Sequence, residues 1–297
     1  MKELVVVSGK GGTGKTSILA SFAALAKNRA VAADCDVDAA DLHLVLTPRV
    51  ISRHKFVGAR EVRILPGHCT ACGKCEEICR FDAIYFDGPG NGIVPKTFRI
   101  DPLACEGCGV CAYFCAEDAI ESKDAQSGEW YISETRHGPM VHAKLFAAQE
   151  NSGKLVSLVR KEAKELAKKR GLDLLLVDGS PGIGCPVIAS VTGADFVLIV
   201  TEPTLSGKHD FERVLGLTKH FGTKSGVCVN KFDLNPEMTE EIEAFARANG
   251  VEVLPRVRYD AAVTKAQVMG ATVVEYTGGA VAQEIRTLWG RVTLAMG

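Results

Sequence analysis

Several hallmarks of other protein classes are missing from this 297-residue chain. It has no apolar run of the roughly 18 to 20 residues that a transmembrane helix needs. It also lacks a signal-peptide pattern, because a glycine-rich stretch soon interrupts the first apolar run. The formal net charge of −1 argues against nucleic acid or an anionic membrane surface as the main partner. We therefore expect a cytoplasmic protein with no nucleic-acid partner and no stable membrane insertion.

The glycine-rich stretch lies between an apolar run, Leu4–Val7, and a segment with helical apolar spacing from Ile18 to Leu25. Its sequence is Ser8-Gly9-Lys10-Gly11-Gly12-Thr13-Gly14-Lys15-Thr16, which fits the spacing G-x-x-x-x-G-K-[ST]. Free backbone N–H groups and the dipole of the following helix form a cradle for phosphate. Lys15 would reach the β- and γ-phosphates, and Thr16 would ligate Mg²⁺. The stretch predicts a nucleotide site whose binding residues are Gly9, Gly11, Gly12, Thr13, Gly14, Lys15 and Thr16.

The additional lysine of this loop, Lys10, gives it a more specific character. The loop resembles the deviant phosphate loop of the MinD/ParA/Mrp and nitrogenase iron-protein superfamily. The resemblance implies that Lys10 reaches across an ATP-dependent homodimer to the other nucleotide, and that Lys10, Lys15 and Asp36 are catalytic. It also assigns the acidic stretch after a second predicted strand, Ala30–Ala33, to switch I. There Asp36 would orient the attacking water and Asp34 would lie nearer the metal shell, although a solvated acidic turn is the alternative.

Two later stretches extend the resemblance. An almost continuous apolar run from Leu172 to Val177 ends at Asp178, which with Thr16 and Asp36 would hold Mg²⁺. Gly179–Gly184 is predicted to be a flexible turn resembling switch II. The tetrapeptide from Asn230 to Asp233 also matches the guanine-reading N-K-x-D of GTPases, but in MinD-like proteins the asparagine contacts adenine. Because Lys10 marks the resemblance to the MinD-like family, we favour ATP over GTP as the nucleotide. The candidate base-binding residues are Asn230, Lys231 and Pro255.

Cysteine is abundant, and eight of the eleven cysteines lie between Cys69 and Cys115. They form two runs with the same spacing, C-x2-C-x2-C-x3-C, which resembles the bacterial two-cluster ferredoxin. In that pattern the fourth cysteine of each run ligates the other cluster. The resemblance implies one [4Fe–4S] cluster on Cys69, Cys72, Cys75 and Cys115, and a second on Cys105, Cys108, Cys111 and Cys79. Two zinc sites are the alternative, but zinc ligands usually come as C-x2-C pairs separated by longer gaps.

Two further features have competing interpretations. Cys185 falls where the nitrogenase iron protein carries a cluster-bridging cysteine, but no second such cysteine is present, so we expect a small packing residue. The last predicted helix, about 279–294, corresponds to the membrane helix of MinD. It carries only Arg286 and Arg291 as positive charges, which favours a helix packed against the domain.

Together these patterns predict an α/β fold: a doubly wound, mostly parallel sheet of the P-loop NTPase type with an inserted ferredoxin-type α+β module. Residues 1–65 and 123–297 would form the ATPase domain and residues 66–122 the ferredoxin domain. The leading hypothesis is an ATP-hydrolysing iron–sulfur protein whose dimer switching drives electron transfer or cluster delivery to a redox or cluster-accepting partner. The alternatives are a MinD-like positioning or scaffold ATPase with the clusters as redox sensor, and a plain ferredoxin-type electron carrier.

Overall fold

A computed structural model of the protein describes residues 1–146 and 152–297. The chain forms two compact units. The first contains Met1–His54, Trp130–Lys144 and Ser152–Gly297. The second contains Lys55–Glu129 and, among the described residues, 145–146. The cysteine-rich segment 66–122 lies inside this second unit, which also includes residues on either side of it.

Strands and helices alternate through most of the first unit. The strands of the described chain are β1 (Lys2–Ser8), β2 (Ala30–Asp34), β3 (Arg49–Ile64), β4 (Ile84–Gly88), β5 (Thr97–Ile100), β6 (Ile120–Thr135), β7 (Gly138–Leu145), β8 (Leu174–Pro181), β9 (Phe196–Thr201), β10 (Ser225–Val229) and β11 (Glu252–Val253). The helices are α1 (Lys15–Leu25), α2 (Leu42–Leu46), α3 (Lys74–Ile78), α4 (Val110–Tyr113), α5 (Ser152–Arg170), α6 (Cys185–Val191), α7 (Leu205–His220), α8 (Pro236–Ala248), α9 (Ala261–Val268), α10 (Val273–Tyr276) and α11 (Ala280–Met296).

The main sheet has the strand order β11-β10-β9-β1-β8-β2-β7-β6-β3. Strand β1 pairs in parallel with β8 and β9, β2 with β8, and β10 with β9 and β11. Leu4 to Val7 of β1 are fully buried, as expected for a central strand covered on both faces. The predicted mostly parallel α/β sheet is confirmed. The loop after β1 therefore opens at the carboxyl end of the sheet, where doubly wound folds bind their ligands.

The last helix packs on the first one. Trp289 of α11 lies against Phe22 of α1 with ring centroids 4.9 Å apart, and Ile285 and Leu288 are buried in the same core. The predicted packing role of α11 is thus confirmed. In the part of the chain that the structure describes, no helix is both long and apolar enough to cross a membrane.

Some predicted elements differ in extent from the observed ones. The sequence predicts a short strand at residues 62–65, but residues 62–64 are the end of β3, which is 16 residues long. The turn expected from Gly179 begins later, since β8 continues to Pro181. The Ser180 hydroxyl of this extension donates at 2.7 Å to the carbonyl of Cys35, which follows β2, and Pro181 is in register with Ser8 of β1. The sequence also predicts two strands around a turn at residues 136–139, and the structure has this hairpin as β6–β7. The helix cap that the sequence predicts at Asn151 lies outside the described residues.

The second unit has a small core of its own. Antiparallel strands β4 and β5 contribute Ile84, Phe98 and Ile100, and the core also contains cysteine side chains from both runs. Helices α3 and α4 both begin after a glycine with left-handed backbone geometry, Gly73 at φ 82° and Gly109 at φ 73°. The internal sequence repeat is thus matched by a repeat of local structure.

One histidine makes stability of the first unit dependent on pH. Burial, with a smaller contribution from nearby His43, lowers the pKa of His142 from 6.5 to about 4. Its ring stacks on Tyr131, and its Nε2 lies 2.9 Å from the Ser133 hydroxyl. Because the folded state favours the neutral ring, the contribution of His142 is complete above pH 6.5 and decreases as the pH falls toward 4. We expect a loss of about 2 kcal/mol between pH 7 and pH 5. Urea unfolding at the two pH values should show this loss in the wild type and a smaller one in His142→Gln.

Candidate nucleotide site and cysteine pockets

Two glycines of the loop after β1 are required by close approaches. Gly14 has φ 91°, and a Cβ atom there would lie 2.3 Å from Nδ2 of Asn230. At Gly9, a Cβ atom would lie 2.2 Å from Cβ of Asp210 on α7. Any side chain at either position would therefore displace the loop. Gly14 precedes α1, and the N–H groups of the first turn of that helix remain available to an anion.

Lys15 lies at the centre of a buried charge cluster. Its ammonium is 2.7 Å from Asp36 Oδ2 and 3.5 Å from Asp178 Oδ1. The Thr16 hydroxyl donates to Asp178 Oδ2 at 2.7 Å. The structure thus brings together the four residues predicted to handle phosphate, metal and water. Carboxylate and hydroxyl oxygens are ligands that suit Mg²⁺, so this set has the chemistry that a Mg²⁺-bound nucleotide needs.

The carboxylates and Lys15 shift one another's protonation. Burial alone would lower the pKa of Lys15, but the charges of Asp178 and Asp36 outweigh it and raise the pKa. Burial raises the pKa of the Asp178 carboxyl, and Lys15 and Thr16 partly offset that rise. Lys15 is therefore firmly cationic, and its charge lowers the pKa of the Asp178 carboxyl against the larger effect of burial.

Asp34 makes its hydrogen bonds to backbone groups. Its Oδ1 accepts the Asp36 N–H and its Oδ2 accepts the Leu42 N–H, both at 3.2 Å. Burial raises the pKa of Asp34 well above its ordinary value, and the charge of Asp178 adds to the rise. Asp34 thus holds the backbone of the predicted switch I and the start of α2, and its place near the metal shell stays a prediction. The spacing of acidic residues along the sequence could not separate these two roles.

Two of the residues predicted to bind the base, Asn230 and Lys231, donate hydrogen bonds to backbone carbonyls of the phosphate loop. The Asn230 amide donates to the Thr13 carbonyl at 2.7 Å, and the Lys231 ammonium donates to the Gly12 carbonyl at 3.0 Å. Lys231 also pairs with Glu202 at 3.0 Å, and Glu202 in turn pairs with Lys10 at 2.5 Å. Sequence reasoning gave Glu202 no role, because its two lysine partners lie far from it in the chain.

A cavity of about 510 Å³ opens beside the loop, a volume within the range of roughly 300 to 1,000 Å³ typical of ligand sites. Gly11, Gly12, Gly14, Lys15, Thr16, Asp36, Asn230 and Lys231 of the predicted set line it. Pro255 is not among the lining residues; its carbonyl accepts from the Cys228 thiol at 3.3 Å. Lining residues that sequence reasoning missed are Leu44 and Val45 on α2, Val263, Thr264 and Gln267 on α9, and Arg258.

The eight clustered cysteines line two separate pockets in the second unit. One pocket is lined by Cys69, Cys72, Cys75 and Cys115. The other is lined by Cys79, Cys105, Cys108 and Cys111. In each pocket, three thiols come from one run and the fourth comes from the other run. This is the same grouping that the spacing and the ferredoxin resemblance imply.

Most thiols of these pockets are buried or partly buried, while Cys72 and Cys108 are exposed. Burial raises the pKa of Cys75 to about 11, and it also raises the pKa of Cys105 and Cys111. Binding of a metal group there would therefore release protons. Among the described residues, no group of three or more His, Cys, Asp or Glu side chains is arranged to hold a metal ion.

Cys185 does not lie where a packing residue would. It is exposed at the first position of α6, so the expectation of a buried position is wrong. Its Cβ atom lies beside Gly153 near the start of α5, where an added Cβ would be 3.1 Å away. The proline at the second position of α6 fits a helix start, which leaves the preceding cysteine at the surface.

Comparison with known proteins gives one family and one fold. The family described as the CobQ/CobB/MinD/ParA nucleotide binding domain matches residues 4–273. An uncharacterised protein of Methanocaldococcus jannaschii is 35% identical over 236 residues, covering 78% of this chain and 79% of that protein. The cell division ATPase MinD of Pyrococcus furiosus aligns with a TM-score of 0.59 at 19% identity, over 99% of this chain and 98% of that one. A chain of the MinC:MinD cell division complex of Aquifex aeolicus aligns with a TM-score of 0.58 at 18% identity, over 99% and 96%.

Proposed function

Because this chain belongs to the CobQ/CobB/MinD/ParA nucleotide-binding family, we propose that it hydrolyses ATP and couples hydrolysis to two [4Fe–4S] clusters. The output would be electron transfer or cluster delivery to a protein partner. The observation that carries the proposal is the composition of the two cysteine pockets, each of which has four thiols and takes its fourth from the other run. Shared ligation of this kind is the arrangement of two-cluster ferredoxins.

The spacing of the cysteines along the sequence favours cubanes over zinc. Zinc ligands usually come as C-x2-C pairs separated by longer gaps, whereas each run here has four cysteines spaced C-x2-C-x2-C-x3-C. A cubane binds each thiolate through a different iron, so one run can supply three ligands and the other run the fourth.

The nucleotide half of the proposal follows from the charge cluster of Lys15. Thr16 and Asp178 would hold a Mg²⁺ ion, which would act as a Lewis acid on the phosphates. The Lys15 ammonium lies 2.7 Å from Asp36 Oδ2. When Lys15 turns to the β- and γ-phosphates, Asp36 loses its ion-pair partner and becomes available to orient the attacking water. One movement of Lys15 thus links phosphate binding to release of switch I.

Lys10 completes the proposed mechanism as the residue that reaches across a nucleotide-dependent homodimer. It is held by Glu202 at 2.5 Å and by the Ser206 hydroxyl at 2.9 Å. These contacts keep its ammonium near the surface of the loop, with about a third of the side chain exposed. Dimer closure would exchange Glu202 for phosphate as the partner of Lys10.

Metal analysis of the anaerobically purified full chain tests the cluster half of the proposal. We expect about eight irons and eight inorganic sulfides per chain after reconstitution, with the broad visible absorption of [4Fe–4S] centres. Two zinc ions per chain and no sulfide would contradict it. The same preparation should hydrolyse MgATP. If hydrolysis persists unchanged when the clusters are reduced, the chain instead fits a positioning ATPase that does not couple to its clusters.

A further inference from the structure

The tip of hairpin β6–β7 carries an arginine that binds three other segments at once. The Arg136 guanidinium pairs with both carboxylate oxygens of Glu275, at 2.8 Å each. It also donates to the Thr47 hydroxyl, to the Val45 carbonyl and to the Gly270 carbonyl, each at 3.0 Å. Only the planar fork of arginine offers so many donors in fixed directions. We call this contact set the Arg136 clasp.

The segments held by the Arg136 clasp form two walls of the nucleotide cavity. Helix α2 contributes Leu44 and Val45 to the cavity, and the clasp binds its last turn through Val45 and its cap through Thr47. Helix α9 lines the cavity with Val263, Thr264 and Gln267. Gly270, which the clasp also binds, lies two residues beyond the end of α9 at Val268. The two walls meet where an added Cβ at Gly270 would be 3.1 Å from the Thr47 methyl carbon.

The chemistry of the clasp suits a positioning role. The carbonyls of Val45 and Gly270 lie at or just beyond helix C-termini, where carbonyls lack helical partners and a cation is favourable. Glu275 also closes the capping box of α10 with Thr272, through contacts of 2.8 Å to its N–H and hydroxyl. His137 lies 2.9 Å from the same carboxylate. The Arg136 guanidinium balances the negative charge of Glu275 and donates to the two carbonyls that lack helical partners. These contacts fix α2 and the α9–α10 turn relative to each other.

We propose that Arg136 is a positioning residue for nucleotide binding, which sets the distance between the two cavity walls without touching the nucleotide. The inference rests on the proposed function, in that the cavity takes a nucleotide. Arg136 lies in the turn after β6, the strand that follows the cysteine-rich segment in the chain. Loss of the clasp widens the cavity and weakens nucleotide binding, while the phosphate chemistry of Lys15, Thr16 and Asp36 stays intact.

Nucleotide affinity of clasp variants tests this inference. We expect Arg136→Gln to weaken binding of a fluorescent ADP analogue about tenfold and to raise KM for ATP by a similar factor, with kcat within about twofold of wild type. Arg136→Lys keeps the charge but loses the fork, and should be intermediate. Arg256→Gln is the matched control, because Arg256 is similarly exposed and contacts Glu243 through two nitrogens. Neither arginine lines the cavity, but Val45 in the Arg136 clasp does, whereas Glu243 does not. The affinity of Arg256→Gln should stay within about twofold.

Three results would overturn the inference. One is unchanged affinity in Arg136→Gln, or in Arg136→Lys if the glutamine variant does not fold. Another is a fall in kcat with KM unchanged. A third is an equal loss of affinity in Arg256→Gln, which would mark a general effect of stability. If the wild type itself binds no nucleotide, the proposed function fails together with the inference. If the wild type binds and the clasp variants match it, the inference alone fails.

Discussion

Lys15→Ala should abolish detectable ATP hydrolysis, a fall of at least about a hundredfold, and should destabilise the nucleotide-free protein by about 3 kcal/mol. The first effect follows because Lys15 is the ammonium placed to meet the transferred phosphate. The second follows because Lys15 is buried against Asp36 and Asp178, and removing one member of a buried ion pair leaves unpaired charge in the interior. Urea unfolding and phosphate-release assays measure the two effects separately.

Lys10→Ala provides the matched control for the stability effect. Lys10 lies in the same loop, but its ion pair with Glu202 is nearer the surface, with side chains 32% and 16% exposed. Exposed pairs are worth less than about 1 kcal/mol, so Lys10→Ala should leave the unfolding free energy nearly unchanged while lowering hydrolysis. Equal destabilisation by the two substitutions would contradict the central place given to the Lys15 cluster.

Single cysteine substitutions should remove one cluster and leave the other. Cys72→Ala is expected to lower the iron content from about eight to about four per chain, because a cubane held by three thiolates loses stability. Cys115→Ala should remove the same cluster as Cys72→Ala, since both residues line one pocket. Cys108→Ala should remove the other. Electron paramagnetic resonance of the reduced protein identifies which cluster remains.

Cys185→Ala is the control for these substitutions. Cys72 and Cys185 are both exposed, so nonspecific loss of iron through an accessible thiol would affect both variants alike. We expect full iron content in Cys185→Ala. If Cys115→Ala and Cys108→Ala left identical spectra, the four cysteines of each run would serve their own cluster, and the shared ligation would be wrong.

The central strands of the main sheet could be predicted from the sequence because they are continuous apolar runs. Leu4–Val7 and the run ending at Val177 are buried on both faces, which makes them easy to recognise as central parallel strands. The long strand β3 is different. Its residues alternate between exposed and partly buried positions and include several charges, so its polar composition concealed 16 residues of strand. The length of the edge strand β3 was therefore predicted less well than the positions of the central strands β1 and β8.

The site shows the same division between local and distant contacts. The phosphate loop and the cysteine runs are local patterns, in which spacing along the chain determines the chemistry. Glu202, Arg136 and the contact of Asp210 with Gly9 depend on residues far apart in sequence. No spacing rule brings such residues together. The backbone contacts of Asp34 could not be predicted for a related reason, because only the fold shows that its carboxylate faces backbone N–H groups.

Coupling between nucleotide and clusters is the central claim, and the cluster reduction potential tests it most directly. The potential is measured anaerobically with and without MgATP, in the wild type and in Lys15→Ala. The wild type should show a nucleotide-induced shift of at least about 60 mV, which corresponds to a tenfold change in a one-electron equilibrium. Lys15→Ala should show none. Identical wild-type potentials with and without MgATP, together with a hydrolysis rate that does not respond to cluster reduction, would contradict the account.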